Sequence, residues 1–101
     1  MGIYAITGAG GYIGQRIIEY LDRDIHCTEI LAIDLIPPSI KSTKTVFQRS
    51  DIRDKGLIDF LANYQIDCLV HLAFVVNPMH DEKKMYDINV NGTRNILSIC
   101  E

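Results

Sequence analysis

The chain has 101 residues, of which 48% are hydrophobic and 23% charged, and its formal net charge is -3 at pH 7. One small core is the most that this length can build, and the composition excludes a disordered polymer and two independent domains. The acidic balance argues against a nucleic-acid binder, which is expected to carry a basic surplus.

Cys27, Cys68 and Cys100 are odd in number and widely spaced. They fit neither a disulfide framework nor the close pairs of a zinc site, so a reduced, cytoplasmic chain with no metal is expected. No segment approaches the roughly 18 consecutive apolar residues of a membrane helix. The apolar start Ile3-Tyr4-Ala5-Ile6 lacks the basic flank and the length of a signal peptide, and it is read instead as a buried strand.

Thr7-Gly8-Ala9-Gly10-Gly11 follows that strand directly. From Tyr12 to Leu21 the apolar positions Ile13, Ile17, Ile18 and Leu21 recur at helical spacing, opposite Gln15, Arg16, Glu19 and Asp22. Ile30 to Ile33 is a second apolar strand and Thr45 to Gln48 a weaker third, joined by a stretch too short for a full helix. A helix is expected from about Asp54 to Tyr64, with Leu57, Ile58 and Leu61 inward. Cys68 to Ala73 is a fourth strand, and a last helix starts after Pro78 and runs through Ile88, Ile96 and Leu97 to the end. Strands of continuous apolar residues between helices imply a parallel sheet covered on both faces.

The sharpest motif is Thr7 to Gly14, a glycine-rich strand-to-helix turn spaced Gly-x-x-Gly-x-x-Gly, with Gly10 as an extra glycine. Gly8 permits the tight turn, Gly11 lets the backbone approach a diphosphate, and Gly14 lets helix and strand pack closely. The helix N-terminus then offers amides and partial positive charge to an anion. The competing reading is a glycine-rich structural turn that binds nothing. No Gly-Lys-Ser/Thr follows, which excludes a nucleoside-triphosphate loop.

Asp34 ends the second strand, placed to accept both hydroxyl hydrogens of an adenosine ribose and to repel a 2′-phosphate. Neither Leu35 nor Ile36 is basic, so NAD is favoured over NADP. A solvated strand-end aspartate is the alternative. Asp51, in Asp51-Ile52-Arg53-Asp54, reads equally well as part of a helix start, as Asp54 does, and as an acceptor for the adenine amino group.

Four blocks together resemble the extended short-chain dehydrogenase/reductase family, the sugar-nucleotide epimerases and dehydratases. They are Thr7 to Gly14; Asp34 with Asp51-Ile52; His71-Leu72-Ala73; and Tyr86-Asp87-Ile88-Asn89-Val90-Asn91-Gly92-Thr93. The resemblance implies a Rossmann-type, doubly wound parallel α/β sheet, here partial, with about four strands and helices on both faces. It implies NAD as cofactor, with Gly8, Gly11, Tyr12 and Ile13 at the pyrophosphate, Gly14 behind them and Asp34 at the adenosine ribose. Asp51 and Ile52 would flank the adenine; Leu72, Ala73 and Phe74 would line the nicotinamide-side ribose; Asn89 would steady the backbone near the active site. Phe74 stands where the family often has a second small residue. His71 is read as a strand-end structural residue rather than a base.

The family's acid–base chemistry resembles that of a tyrosine with a lysine four residues later. Here Tyr4, Tyr12, Tyr20, Tyr64 and Tyr86 are followed at that distance by Gly8, Arg16, Asp24, Cys68 and Val90, so the chain carries no such pair and no catalytic residue is assigned. Residues 1–101 are therefore expected to be the N-terminal part of an NAD-binding domain in a longer enzyme acting on a nucleotide sugar, and inactive alone. A non-catalytic dinucleotide-sensing module and a plain interaction domain are the alternatives. With no later strand beside it, Cys68 to Ala73 is expected to be a sheet edge through which the chain self-associates, as a homodimer or otherwise.

Overall fold

The computed structural model describes residues 2–73 and 82–99. Four strands form one parallel sheet: β1 (Gly2–Thr7), β2 (Cys27–Asp34), β3 (Thr45–Arg49) and β4 (Cys68–His71), in the order β3-β2-β1-β4. Ala5 pairs with Leu31 on one side and Leu69 on the other, and Leu31 pairs onward with Val46. The helices are α1 (Tyr12–Asp22), α2 (Gly56–Ala62), α3 (Glu82–Tyr86) and α4 (Gly92–Ile99), with a π-helical segment, Asp87–Asn91, between the last two.

The alternation of strand side chains divides the core into two layers. Ile6, Ile30 and Ala32 meet Ile18 and Leu21 of α1 on one face. Ala5, Leu31 and Ile33 meet Leu57 and Leu61 of α2 and Ile96 of α4 on the other. Because both faces are covered, all four residues from Ile30 to Ile33 are fully buried, which is why β2 reads as an unbroken apolar run rather than an alternating one.

Two inward assignments are corrected. Ile13 is 61% exposed and Ile58 37%; Leu97, through which the last helix runs, is exposed as well. In α1 the buried stripe is Gly14, Ile18 and Leu21, so a glycine takes the place on the inner face that Ile13 was expected to hold. In α2 the pair Leu57 and Leu61 defines the inner face, one residue round from Ile58. In α4 the buried positions include Gly92, Asn95 and Ile96, and Leu97 falls outside the stripe.

Element limits shift too. β2 begins at Cys27, three residues before Ile30, and α2 is shorter than the expected Asp54 to Tyr64. The Asp54 carboxylate accepts the Gly56 N–H at 2.8 Å, a turn that holds the chain just ahead of the helix. The ladder of β4 stops at His71, leaving Leu72 and Ala73 beyond it. The last helix is not uniform, since Asp87–Asn91 is wound as a π segment. The expected edge is β4, outermost in the described sheet.

Candidate functional site

The carboxyl ends of β1, β2 and β4 meet around the glycine turn. Gly8 has φ of +72°, a left-handed conformation that favours glycine, and a Cβ there would lie 2.8 Å from the Leu72 carbonyl carbon. Its N–H donates to the Ile33 carbonyl at 2.9 Å, tying the turn to β2. A Cβ on Gly14 would strike the Gly8 carbonyl oxygen, which is the close packing expected of it. Gly11 caps α1 with no side-chain hydrogen bond, and no acidic residue stands in the first turn. The first amides of α1, among them those of Tyr12 and Ile13, thus face outward without a carboxylate competing for them.

A groove of about 330 Å³ opens beside this turn. It brings together Gly8, Gly11, Asp34, Asp51, Ile52, Leu72 and Ala73 from four separate stretches of chain. Leu35, Ser50 and Ile88 also line it, and sequence reasoning had not singled these out for the site. Tyr12, Ile13 and Gly14 stand beside the groove rather than in its wall. Asn89 is buried in the π segment, next to the groove-lining Ile88. Phe74 lies outside the described residues.

Asp34 is already engaged. Its Oδ2 accepts the Gly10 N–H at 2.8 Å, and its Oδ1 accepts those of Leu35 at 2.7 Å and Ile36 at 3.3 Å. A carboxylate has about four acceptor directions, so among the described residues one is left, on Oδ2. Accepting both ribose hydroxyls at once would require a backbone donor to let go. Gly10 is therefore more than an extra glycine: a Cβ on it would run into the Ile36 carbonyl oxygen and come within 3.1 Å of Asp34 Oδ2. Gln15 reinforces the same junction, donating to the Gly10 carbonyl at 2.8 Å while its Oε1 accepts the Ser39 hydroxyl at 2.8 Å.

At the other end, Asp51 is clasped by Arg53. The Arg53 N–H and Nε donate to Asp51 Oδ1 at 2.9 and 3.0 Å, and Nη2 donates to Oδ2 at 2.6 Å. These bonds hold the Asp51 carboxyl below the usual carboxylate range. Nη1 reaches Asp87 Oδ2 at 2.7 Å, and Asn91 donates to Asp87 Oδ1 at 2.8 Å; Asn91 first and Arg53 second lower the Asp87 carboxyl as well. The two carboxylates hold the guanidinium firmly protonated. Asn95 adds two bonds from Nδ2, to the carbonyls of Ile52 at 2.7 Å and Asp54 at 3.0 Å. The signal for Arg53 was present in the sequence: a base two residues after a loop carboxylate, followed by a second acid.

Thr7, fully buried, anchors the end of β4. Its hydroxyl oxygen accepts the N–H groups of Leu72 at 3.0 Å and Ala73 at 3.2 Å, and lies 2.6 Å from His71 Nδ1. Leu72 N–H is shared with the Thr7 carbonyl oxygen at 3.1 Å. On the other side of the ring, His71 Nε2 lies 3.0 Å from the Thr93 hydroxyl. Burial pushes the His71 pKa down. The residue fastens β1, β4 and α4 together.

Among the described residues no cluster of His, Cys, Asp and Glu could hold a metal ion, and no helix is long and apolar enough to cross a membrane. Cys27 and Cys68 are free thiols, the first buried and raised in pKa by that burial.

Residues 5–101 match the model of the 3-beta hydroxysteroid dehydrogenase/isomerase family. The chain is 30% identical over 101 residues to the D-erythronate dehydrogenase of Haemophilus influenzae, covering 94% of this chain and 32% of that protein. The fold is that of the Bordetella bronchiseptica enzyme WbmG, solved in complex with NAD, with TM-score 0.84, 23% identity, and coverage of 98% of this chain and 33% of that one. A solved UDP-glucose 4-epimerase gives TM-score 0.80 at 24% identity, with 96% of this chain and 31% of the other aligned. The chain thus spans about a third of the length of these relatives.

Proposed function

Since the chain belongs to the 3-beta hydroxysteroid dehydrogenase/isomerase family, we propose that residues 1–101 are the N-terminal, NAD-binding part of an epimerase/dehydratase-type oxidoreductase. The observation that carries this reading is the groove. Along its wall run a glycine turn, two carboxylates and the apolar surfaces of Ile52, Leu72 and Ile88, with the first amides of α1 beside it. That sequence of surfaces suits a diphosphate, a ribose and an adenine in turn.

In this reading Gly8, Gly11 and the first-turn amides of Tyr12 and Ile13 bind the pyrophosphate, with Gly14 bringing α1 up to the turn. Asp34 accepts a ribose hydroxyl at its remaining Oδ2 site. Asp51 and Ile52 take the adenine edge and face, while Leu72, Ala73 and Phe74 lead toward the nicotinamide-side ribose. Asn89 stiffens the helix that carries Ile88. NAD supplies the hydride acceptor for oxidation of a substrate carbinol. The acid–base step belongs to residues outside this chain, which has no tyrosine followed by lysine four positions on. For the whole protein we propose a nucleotide-sugar substrate and a cytoplasmic location, the latter because three widely spaced cysteines suit no disulfide framework.

The test is titration calorimetry with NAD and NADP, before and after Asp34→Ala. Hydrogen bonds to charged groups are worth about 1.5–3 kcal/mol, so the substitution is expected to weaken NAD binding roughly tenfold to hundredfold. The unmodified protein should prefer NAD, and equal binding of both cofactors would reject the assignment.

A further inference from the structure

Arg53 is not in the groove wall, yet it holds a residue that is. Asp51 lines the groove, and of its roughly four acceptor directions three are filled by Arg53: the backbone N–H and Nε on Oδ1, and Nη2 on Oδ2. Among the described residues one direction remains open, on Oδ2. The free arm of the guanidinium is fixed to Asp87, and Asp87 is fixed by Asn91. The loop is pinned again one residue on, where Asn95 holds the Ile52 and Asp54 carbonyls and Gly92 leaves room for the Ile52 side chain. The carboxylate therefore has one orientation and one vacancy for a hydrogen-bond donor.

We propose that Arg53 is a specificity-determining positioning residue: by filling three acceptor directions of Asp51 and anchoring it to Asp87, it makes Asp51 a reader of the exocyclic amino group of an adenine. An amino group donates into the vacancy. A keto oxygen at the same place brings lone pairs against a carboxylate and is rejected. A lysine cannot replace the fork, because one ammonium does not reproduce planar, two-sided contact with Asp51 and Asp87 together. This inference rests on the NAD-binding reading above.

The experiment compares NAD with nicotinamide hypoxanthine dinucleotide, in which the 6-amino group is replaced by a keto oxygen, by calorimetry on the protein and its variants. The unmodified protein is expected to bind NAD about tenfold more tightly or better, the range of one hydrogen bond to a charged acceptor. Arg53→Met should bring the ratio of the two affinities close to one, and Arg53→Lys should leave it well below that of the unmodified protein. A loss of fold integrity alone would lower both affinities in step and keep the ratio, and that result would overturn the proposal. Asp87→Ala leaves the contact between Arg53 and Asp51 intact but frees it from the helix. It should also lower the ratio, and it decides the matter if Arg53→Met does not fold: an unchanged ratio in Asp87→Ala overturns the proposal. If the unmodified protein binds both dinucleotides equally, the role of Arg53 falls and the NAD-binding reading stands. If it binds neither, both fall.

Discussion

Gly10 and Gly11 are neighbours with opposite expected responses to substitution. Gly10 does not have positive φ, so alanine there meets no backbone strain; the cost is steric. The new Cβ would overlap the Ile36 carbonyl oxygen and sit 3.1 Å from both Ile36 C and Asp34 Oδ2. Backbone atoms cannot rotate aside, so the 34–36 turn must move and the bond from Gly10 N–H to Asp34 must lengthen. Overpacking of this kind costs about 1–3 kcal/mol, offset by roughly 0.4–1 kcal/mol from the stiffer unfolded chain. A net loss of about 1–2 kcal/mol lowers Tm by roughly 4–16 °C in a domain of this size. At Gly11 the backbone is extended, at φ -79° and ψ 174°, and a Cβ would meet only the Gly8 carbonyl oxygen at 3.3 Å. Gly11→Ala should therefore melt close to the unmodified protein, and Gly11→Val should keep the fold while losing NAD binding, since the branched side chain enters the position proposed for the diphosphate. Thermal melts followed by circular dichroism, paired with calorimetry, separate the two effects. Equal melting of Gly10→Ala and Gly11→Ala would refute the packing argument, and normal NAD binding by Gly11→Val would remove the diphosphate from the turn.

His71 is held neutral, with a depressed pKa, whereas in the unfolded chain it titrates near 6.5. Below that value the unfolded state binds a proton that the folded state refuses, so stability is full above pH 6.5 and falls as pH drops toward the folded pKa. Urea midpoints at pH 7.5 and 5.5 should show this loss, and His71→Asn should show less of it; an identical pH slope in the variant would exclude His71 as the source. At the sheet edge, light scattering across a concentration series should reveal self-association through β4, diminished in Val70→Lys; a monomer at all concentrations would refute the edge argument.

Much of the fold could be read from residues close in sequence. The glycine turn announces itself within eight positions, and Asp34 and Asp51 stand at strand ends where a parallel sheet exposes its ligand edge. What stayed hidden was long-range or polar. The bond from Gly10 to Asp34 spans 24 residues and that from Arg53 to Asp87 spans 34, distances at which no local pattern operates. Apolar periodicity misassigned Ile13 and Ile58 because it counts only large hydrophobic residues. In α1 and α4 part of the buried stripe is made of Gly14, Gly92 and Asn95, whose reason for burial is close approach or a hydrogen bond. Thr7 and His71 form one proton network only after β1 and β4 have paired.

The π segment stores one residue more than an α-helical path of the same sweep. An α-helix turns about 100° per residue, and a π turn holds one residue more than its α counterpart. Deleting one residue of Asp87–Asn91 would therefore let the segment relax into ordinary helix with α3 and α4 kept in register. Rewinding all five residues as α-helix would instead turn α4 by roughly 100° relative to α3. Ile88 could then no longer face the groove while Asn95 reaches the Ile52 carbonyl and Ile96 fills the core. Among variants of this chain, that stretch should tolerate the loss of one position better than the gain of one.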